Sequence, residues 1–241
     1  MKQELTRTLP TTASLPGALT IPRYLEDTYW WAYVHPNAVR LFERQWLVNA
    51  ILWGNFSRLR DSALDAMGSP VTGASLQVAC VYGDLTGRLA GRLGGAGVLD
   101  VVDILPVQLQ NLRRKLGDRR QVMLLRRDSA ALGFADESYD QVLLFFLLHE
   151  QPEAVRRQTL AEALRVTRRG GRIVIVDYHR PHPLHPLRWL FPPVLALLEP
   201  YALDLWREEI ETWLPADMSW KIESRKSFFG SLYQQLVLVR K

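Results

Sequence analysis

From residue 76 onward, short apolar runs alternate with longer stretches in which apolar positions follow a helical period. The runs predict five strands, over residues 76–81, 98–104, 122–125, 141–147 and 172–177. The stretches between them predict helices over residues 84–93, 106–116 and 152–167. Because strands that alternate with helices form parallel sheets, we expect an α/β fold with a doubly wound, mostly parallel, Rossmann-like sheet. Two last runs predict an edge hairpin over residues 220–224 and 234–240.

The N-terminal sequence has a different pattern, in which aromatic residues are frequent. We divide the chain into a flexible lead, a helical cap, an α/β domain and an apolar insertion within that domain, over residues 1–22, 23–70, 71–241 and 181–215. Apolar residues of the cap recur at helical spacing. We therefore expect the cap residues Trp46 and Trp53 to pack inside the protein.

Composition narrows the possible functions. The chain has 241 residues, of which 48% are hydrophobic, and this content excludes a wholly disordered protein. The net charge is only +5 and the basic residues form no dense stripe, which argues against a nucleic-acid partner. The one cysteine, Cys80, excludes an internal disulfide. No run approaches the ~18 apolar residues of a membrane span and no signal sequence is visible, so we expect a cytoplasmic protein.

Polar residues follow the first three predicted strands, where a doubly wound sheet binds its ligand. The first strand leads into Gly83, and Asp103 ends the second strand at the position of an acid that binds ribose hydroxyls. Asp128 and Ser129 follow the third strand, within reach of an adenine amine. Each signal alone fits a cap or turn equally well. Their order along the chain indicates a nucleoside site.

Three segments carry a family resemblance: SLQVACVYGDLT, RDSAALGFADESYDQV and LAEALRVTRRGGRIVIVDY. They resemble the glycine-rich first motif, the adenine segment, and the helix and fifth strand of class I S-adenosylmethionine-dependent methyltransferases, especially those acting on ubiquinone and menaquinone precursors. The resemblance covers residues 75–241. It implies a class I methyltransferase-like fold that binds S-adenosylmethionine through Val81, Tyr82, Gly83, Asp103, Asp128, Ser129 and Phe145.

The first motif departs from that family. Gln77 replaces the acid of the first strand, Cys80 and Val81 replace two glycines, and Tyr82 stands where a small residue is usual. Glycines there let the backbone approach the ligand. The missing carboxylate also removes a partner for the cofactor's ammonium group. These changes argue against a standard methyl transfer, whereas Asp103 and Asp128 favour retention of the nucleoside.

The altered motif follows an aromatic block, PRYLEDTYWWAYVHPNAVRLFERQWLVNAILWGNF. Together they closely resemble the rhodoquinone biosynthesis proteins, from Pro22 to nearly the end of the chain. The resemblance implies conversion of ubiquinone to rhodoquinone, in which an amino group from S-adenosylmethionine replaces a ring methoxy group with the assistance of manganese(II). It also implies peripheral contact with the inner face of a membrane. We expect the substrate channel to contain Tyr29, Trp30, Tyr33 and His35.

The candidate catalytic residues follow the strands of the same sheet edge. Tyr82 could donate to a quinone oxygen or merely fill a gap, and His149 could move protons near neutral pH or merely bind backbone. Asp177 ends the fifth strand beside them. For manganese, the candidate ligands are His149, Asp177 and His179. The alternative is that His179 belongs to a proline-rich surface loop.

Two other functions fit the sequence. A conventional quinone-precursor methyltransferase would have the same fold, but the altered first motif disfavours it. A catalytically inactive subunit of a quinone-synthesis complex would explain the lost glycines. The retained Asp103, Asp128 and Ser129 argue against such a subunit.

Overall fold

The computed structural model describes residues 19–29 and 42–241, and within them one seven-stranded sheet has the order β3-β2-β1-β4-β5-β7-β6. Strands β1 to β5 are parallel, and β7 is antiparallel to both β5 and β6. The predicted doubly wound sheet with an edge hairpin is therefore confirmed. The strands are β1 (Ala74–Val78), β2 (Val98–Asp103), β3 (Val122–Arg126), β4 (Tyr139–Phe145), β5 (Thr167–Tyr178), β6 (Trp220–Phe228) and β7 (Tyr233–Arg240).

Helices connect and flank these strands. The α-helices of the described residues are α1 (Arg23–Tyr29), α2 (Gln45–Ile51), α3 (Phe56–Met67), α4 (Leu85–Gly91), α5 (Pro106–Leu116), α6 (Glu153–Val166), α7 (Leu187–Leu198) and α8 (Asp204–Arg207). Short 3₁₀ turns occupy Leu148–Glu150, Pro200–Leu203 and Ile210–Trp213.

The core lies around the central strands. In β4, the consecutive residues Val142, Leu143 and Leu144 are all fully buried. An unbroken apolar run of this kind is typical of a parallel strand covered on both faces. Helix α3 contributes Phe56 and Leu59 to the same core. The sequence pattern was therefore sufficient to predict these strands.

Strand β1 ends three residues earlier than its apolar run predicts. Ala79, directly after it, has a φ of +72°, a left-handed backbone that ends an extended strand. The amide of Gln77 holds this turn, because its Nε2 donates to the Ala79 carbonyl at 2.9 Å. The residues from Cys80 to Gly83 therefore form a loop at the carboxyl edge of the sheet.

The cap is not one continuous helix. Trp53 and Gly54 have φ values of +52° and +77°, and this turn separates α2 from α3. Val48 and Leu52 face the core. Trp46 is 64% exposed and Trp53 47% exposed, so the prediction that both pack inside is wrong. Trp46 lies on the exposed side of α2, and Trp53 lies in the turn itself, where helical spacing no longer applies.

Helix α7 lies in the apolar insertion, and all of its residues except Arg188 are apolar. Leu187, Phe191 and Leu195 are buried, at a spacing of four residues. Trp189 and Leu197, on other faces of the helix, are each 80% exposed. None of the helices in the described ranges is long and apolar enough to cross a membrane.

Candidate functional site

A polar crevice opens where the strand order reverses, beyond the carboxyl ends of β1 and β4. This switch point is where doubly wound sheets bind their ligands. The crevice is lined from β1 by Val78 and the loop after it, and from β2 by its last residues. Its polar lining residues are Asp103, Gln108, Arg127, Asp128, Ser129, Glu150 and Gln151. The sheet therefore brings together Asp103, Asp128 and Ser129, as the sequence predicted.

Asp103 is a buried carboxylate that organises the crevice. Its Oδ2 accepts a hydrogen bond from the Cys80 amide at 2.8 Å, and its Oδ1 accepts one from the Leu105 amide at 2.8 Å. Burial raises the pKa of Asp103 to about 6, against the opposing effect of these amides. The carboxylate thus fixes the loop after β1 and still lines the crevice.

The far end of the crevice holds a small polar network. Ser129 Oγ lies 2.9 Å from Thr159 Oγ1 and accepts a hydrogen bond from Gln151 Nε2 at 3.0 Å. Asp128 Oδ1 accepts a bond from the Ala130 amide at 2.8 Å. The Oε1 atom of Gln151 is buried and has no hydrogen-bond partner among the described residues. A ligand N–H group in the crevice would satisfy this acceptor, which is costly to leave unpaired.

The loop after β1, from Cys80 to Gly83, is called the first loop; contacts from Glu43 and Lys115 hold it in place. Gly83 has a φ of +81°, and a Cβ there would lie 2.8 Å from Cζ of Phe56, so only glycine fits. The Gly83 amide donates to Glu43 Oε1 at 3.1 Å, and Lys115 Nζ donates to the Gly83 carbonyl at 2.5 Å. Glu43 and Lys115 also form an ion pair at 2.6 Å. These contacts connect the cap to the loop.

A second, apolar cavity of about 590 Å³ adjoins the crevice. It is enclosed by α2, the first loop, the end of β4 and α7. Val81, Tyr82 and Phe145, which the family resemblance assigns to the cofactor, line this cavity and not the crevice. Cys80 and Glu150, together with Phe146, line both. The two spaces therefore share a wall.

Tyr82 is held in that wall. Its hydroxyl accepts a hydrogen bond from Gln108 Nε2 at 2.9 Å, and its ring stacks on Phe42 with centroids 6.0 Å apart. Burial raises the pKa of Tyr82 well above its usual value, so the phenol is neutral. The structure thus gives Tyr82 a fixed position beside the cavity; its catalytic role remains a prediction.

His149 and Asp177, each predicted as a catalytic residue, are in direct contact. His149 Nδ1 lies 2.9 Å from Asp177 Oδ1, and Asp177 Oδ2 accepts a hydrogen bond from the Leu148 amide at 2.8 Å. The His149 Nε2 atom lies 3.9 Å from Glu150 and 3.8 Å from Glu199. Burial alone would lower the pKa of His149, but the three carboxylates outweigh it and raise that pKa to about 9. The imidazole is therefore a cation at neutral pH.

The predicted manganese ligands do not converge. His179 Nδ1 lies 3.2 Å from the Ser231 carbonyl and Nε2 lies 3.3 Å from Glu209 Oε1, whereas His149 and Asp177 bind each other. Across residues 19–29 and 42–241, no group of three or more His, Cys, Asp or Glu could hold a metal ion. These residues do not fit manganese, so the predicted set of His149, Asp177 and His179 is not a metal site.

The predicted substrate channel is described only at Tyr29, since Trp30, Tyr33 and His35 lie outside the described residues. Tyr29 is fully buried, and its hydroxyl faces the Glu199 carboxyl group. Glu199 was missed by sequence reasoning. The signal for it was a lone acid in an apolar segment, LALLEPYAL.

Comparison with known proteins agrees with this geometry. Residues 76–171 match the methyltransferase domain family. The chain is 31% identical to a demethylmenaquinone methyltransferase of Renibacterium salmoninarum over 199 residues, 74% of this chain and 79% of that protein. It is 24% identical to a demethylmenaquinone methyltransferase of Bacillus licheniformis over 198 residues, 82% of each chain.

A solved structure shares the fold. It is the N-methyltransferase NodS of Bradyrhizobium japonicum in complex with S-adenosyl-L-homocysteine, with a TM-score of 0.52 and 14% identity over 77% of this chain and 84% of that one. The fold, the position of the crevice and the similarity to these relatives all indicate the same family. The chain belongs to the class I S-adenosylmethionine-dependent methyltransferase family that includes the demethylmenaquinone methyltransferases.

Proposed function

We propose that this protein is an enzyme that modifies a lipid quinone with S-adenosylmethionine. The observation that carries the proposal is the pair of adjoining spaces: a polar crevice at the switch point and an apolar cavity of about 590 Å³. A nucleoside-bearing cosubstrate suits the first and an apolar ring suits the second. Their shared wall, at Cys80 and Phe146, would place the two reactants side by side.

The crevice residues fit the nucleoside. The Asp103 carboxylate would accept bonds from ribose hydroxyls, and the unpaired Gln151 Oε1 and Asp128 would accept bonds from the adenine amine. When bound, S-adenosylmethionine supplies an electrophilic methyl group and an amino group. The protein's own part is to hold the nucleoside and to keep the reacting end at the Cys80–Gly83 loop.

The apolar cavity fits a quinone ring and the start of its tail. Aromatic and aliphatic side chains such as Phe56, Phe145 and Leu195 form most of its surface, while Tyr82 and His149 offer polar atoms. The elements that enclose the cavity also carry exposed apolar residues, on α2, on the turn after it and on α7, namely Trp46, Ile51, Trp53, Trp189, Leu190, Val194 and Leu197. Tryptophan and leucine at such positions are typical of proteins that dock on a bilayer. We infer that the tail enters from a membrane held against these helices.

Methyl transfer to a quinone ring is the reaction that the relatives support, since two of them carry the name demethylmenaquinone methyltransferase. Amination of ubiquinone to rhodoquinone is a second candidate, favoured by one observation. Gln77 stands where the resemblance expects an acid, and its amide is spent on the Ala79 carbonyl. The amino group of S-adenosylmethionine then lacks that carboxylate partner, which favours an uncharged, nucleophilic amine.

One experiment tests the proposal and separates the two reactions. Purified protein is incubated with vesicles that contain either a demethylated quinol or ubiquinone, together with S-adenosylmethionine carrying ¹³C in its methyl group and ¹⁵N in its amino group. Mass spectrometry of the extracted quinone then detects the label. Transfer of ¹³C identifies methyl transfer, and ¹⁵N with loss of a methoxy group identifies amination. No label in either quinone, despite calorimetric binding of S-adenosylmethionine, contradicts the proposal and favours a binding subunit.

A further inference from the structure

One acid in the apolar cavity has no role in the function described so far. Glu199 follows the last residue of α7 and lines the cavity, although most of its side chain is withdrawn from solvent. Burial raises its pKa, while the charge of His149 opposes that rise. Its Oε2 atom is buried, and no described residue hydrogen-bonds it. A buried carboxylate oxygen without a partner is costly, and a ligand in the cavity would satisfy it.

The geometry around Glu199 connects it to the buried pair. Its Oε2 atom lies 3.8 Å from His149 Nε2, and the other imidazole nitrogen is held by Asp177 at 2.9 Å. Tyr29 lies beside the Glu199 carboxyl on the side of α1. Glu150 is the remaining acid near the imidazole, at 3.9 Å. The row Asp177, His149, Glu199 therefore runs from the sheet to the cavity.

A buried arginine fixes the two segments that carry this row. Arg156 Nε donates to the Leu148 carbonyl at 3.0 Å, and Nη2 donates to the carbonyls of Gln151 at 2.9 Å and Tyr201 at 3.0 Å. Its guanidinium lies 4.3 Å from the ring centroid of Trp213. Arg156 thus joins the turn that bears His149 to the turn that follows Glu199. These hydrogen bonds hold the two turns together, and with them the side chains of His149 and Glu199.

We propose that Glu199 is the acid–base residue of the quinone cavity and that the neighbouring His149 cation stabilises its ionised form. The inference rests on the proposed function, and on methyl transfer in particular. In that reaction a C–C bond forms to the ring, the S–CH₃ bond breaks with its electron pair left on sulfur, and the ring carbon gives up one proton. Glu199 accepts that proton as a carboxylate, with the His149 cation stabilising its charge. The overall change is redox-neutral and releases one proton.

The first test measures turnover of the full chain in quinol-containing vesicles for Glu199→Gln, with Glu153→Gln on the exposed face of α6 as the matched control. We expect Glu199→Gln to lower kcat about 100-fold, the usual contribution of a positioned acid–base group. The quinol KM and the affinity for S-adenosylmethionine should stay within about threefold, since the shape is preserved. Glu199→Asp keeps a carboxyl group and should recover part of the rate. An unchanged kcat in a folded Glu199→Gln variant overturns the proposal.

A second readout is independent of turnover. The five histidines are labelled with ¹⁵N, His149 is assigned through His149→Gln, and its titration is followed by NMR. Glu199→Gln should lower the pKa of His149, because Asp177 and Glu150 then remain as its only carboxylate neighbours among the described residues. Glu153→Gln should leave it unchanged. An unchanged His149 titration in Glu199→Gln contradicts the coupling, whatever the substrate. If the coupling is present but wild-type protein labels no quinone, the proposed function fails, whereas the electrostatic coupling between His149 and Glu199 is established.

Discussion

The crevice and the apolar cavity share a wall but differ in origin. The crevice is formed by the carboxyl ends of sheet strands, and its acids Asp103 and Asp128 occupy places that the strand order dictates. The cavity is enclosed by α2 and α7, two helices outside the sheet. The sheet therefore determines the nucleoside site, whereas the helices outside the sheet determine which second molecule can react. The comparison predicts that changes in one space leave binding in the other intact.

The largest expected effect is at the crevice. Asp103→Ala removes the carboxylate that would accept ribose hydroxyls, and two charge-assisted hydrogen bonds of that kind correspond to an affinity loss of about 100-fold. Isothermal titration calorimetry with S-adenosylmethionine measures it, and Asp118→Ala at an exposed position serves as control. Unchanged affinity in Asp103→Ala would mean that the nucleoside lies elsewhere.

The next effect concerns the exposed side of α7. Trp189→Asp combined with Leu197→Asp removes two side chains that are each 80% exposed, so folding should be unaffected. At about 1 kcal/mol for each side chain, binding to vesicles should weaken about 30-fold. Vesicle co-sedimentation measures this, with the exposed Ile222→Asp on β6 as the matched control. Equal sedimentation of the double variant and the control would contradict a membrane surface at α7.

The affinity of the crevice for S-adenosylmethionine should depend on pH. Burial raises the pKa of Asp103 from 3.8 to about 6, and its ionised form is the better acceptor for ribose hydroxyls. Affinity for S-adenosylmethionine should therefore fall about tenfold between pH 7 and pH 5. Since the folded pKa exceeds the unfolded one, Asp103 favours the folded state below pH 3.8 and loses that contribution as pH rises through about 6. Ligand affinity and apo-protein stability thus respond to Asp103 in opposite directions; calorimetry at several pH values should show a flat profile in Asp103→Ala.

The smallest effect is at the shared wall. Tyr82→Phe removes the oxygen that accepts the Gln108 bond and should lower the free energy of unfolding by about 1 kcal/mol. Affinity for S-adenosylmethionine should change less than threefold, because Tyr82 lines the cavity and not the crevice. Chemical denaturation and calorimetry measure the two quantities. A tenfold loss of S-adenosylmethionine affinity would show that the wall belongs to the nucleoside site.

The sheet was predictable from sequence because buried parallel strands leave continuous apolar runs, as Val142, Leu143 and Leu144 do. The acids of the crevice were predictable because their positions follow from strand ends. The end of β1 was not predictable, because the residue with the positive φ is Ala79 and not a glycine. Strand periodicity carries no information about such a turn.

The cavity was much harder to predict. The tryptophans Trp46 and Trp53 were expected inside and are largely exposed, because Trp46 lies on the exposed side of α2 and Trp53 lies in the turn that ends the helical spacing. His179 was grouped with His149 because both follow strands at the same edge of the sheet, but its ring turns toward Ser231 and Glu209. Glu199 was missed because its partner His149 lies 50 positions away. Contacts between helices outside the sheet depend on tertiary packing.

We expect the polar crevice and the apolar cavity to bind two different molecules at the same time. The most direct measurement titrates a short-chain quinone into protein saturated with S-adenosylhomocysteine, and into ligand-free protein, by calorimetry. Wild-type protein should bind the quinone with similar affinity in both states, and Ala50→Trp, which adds a bulky side chain to the cavity lining, should weaken quinone binding alone. Mutual exclusion of quinone and S-adenosylhomocysteine would contradict the account, because it would mean that both molecules compete for one space.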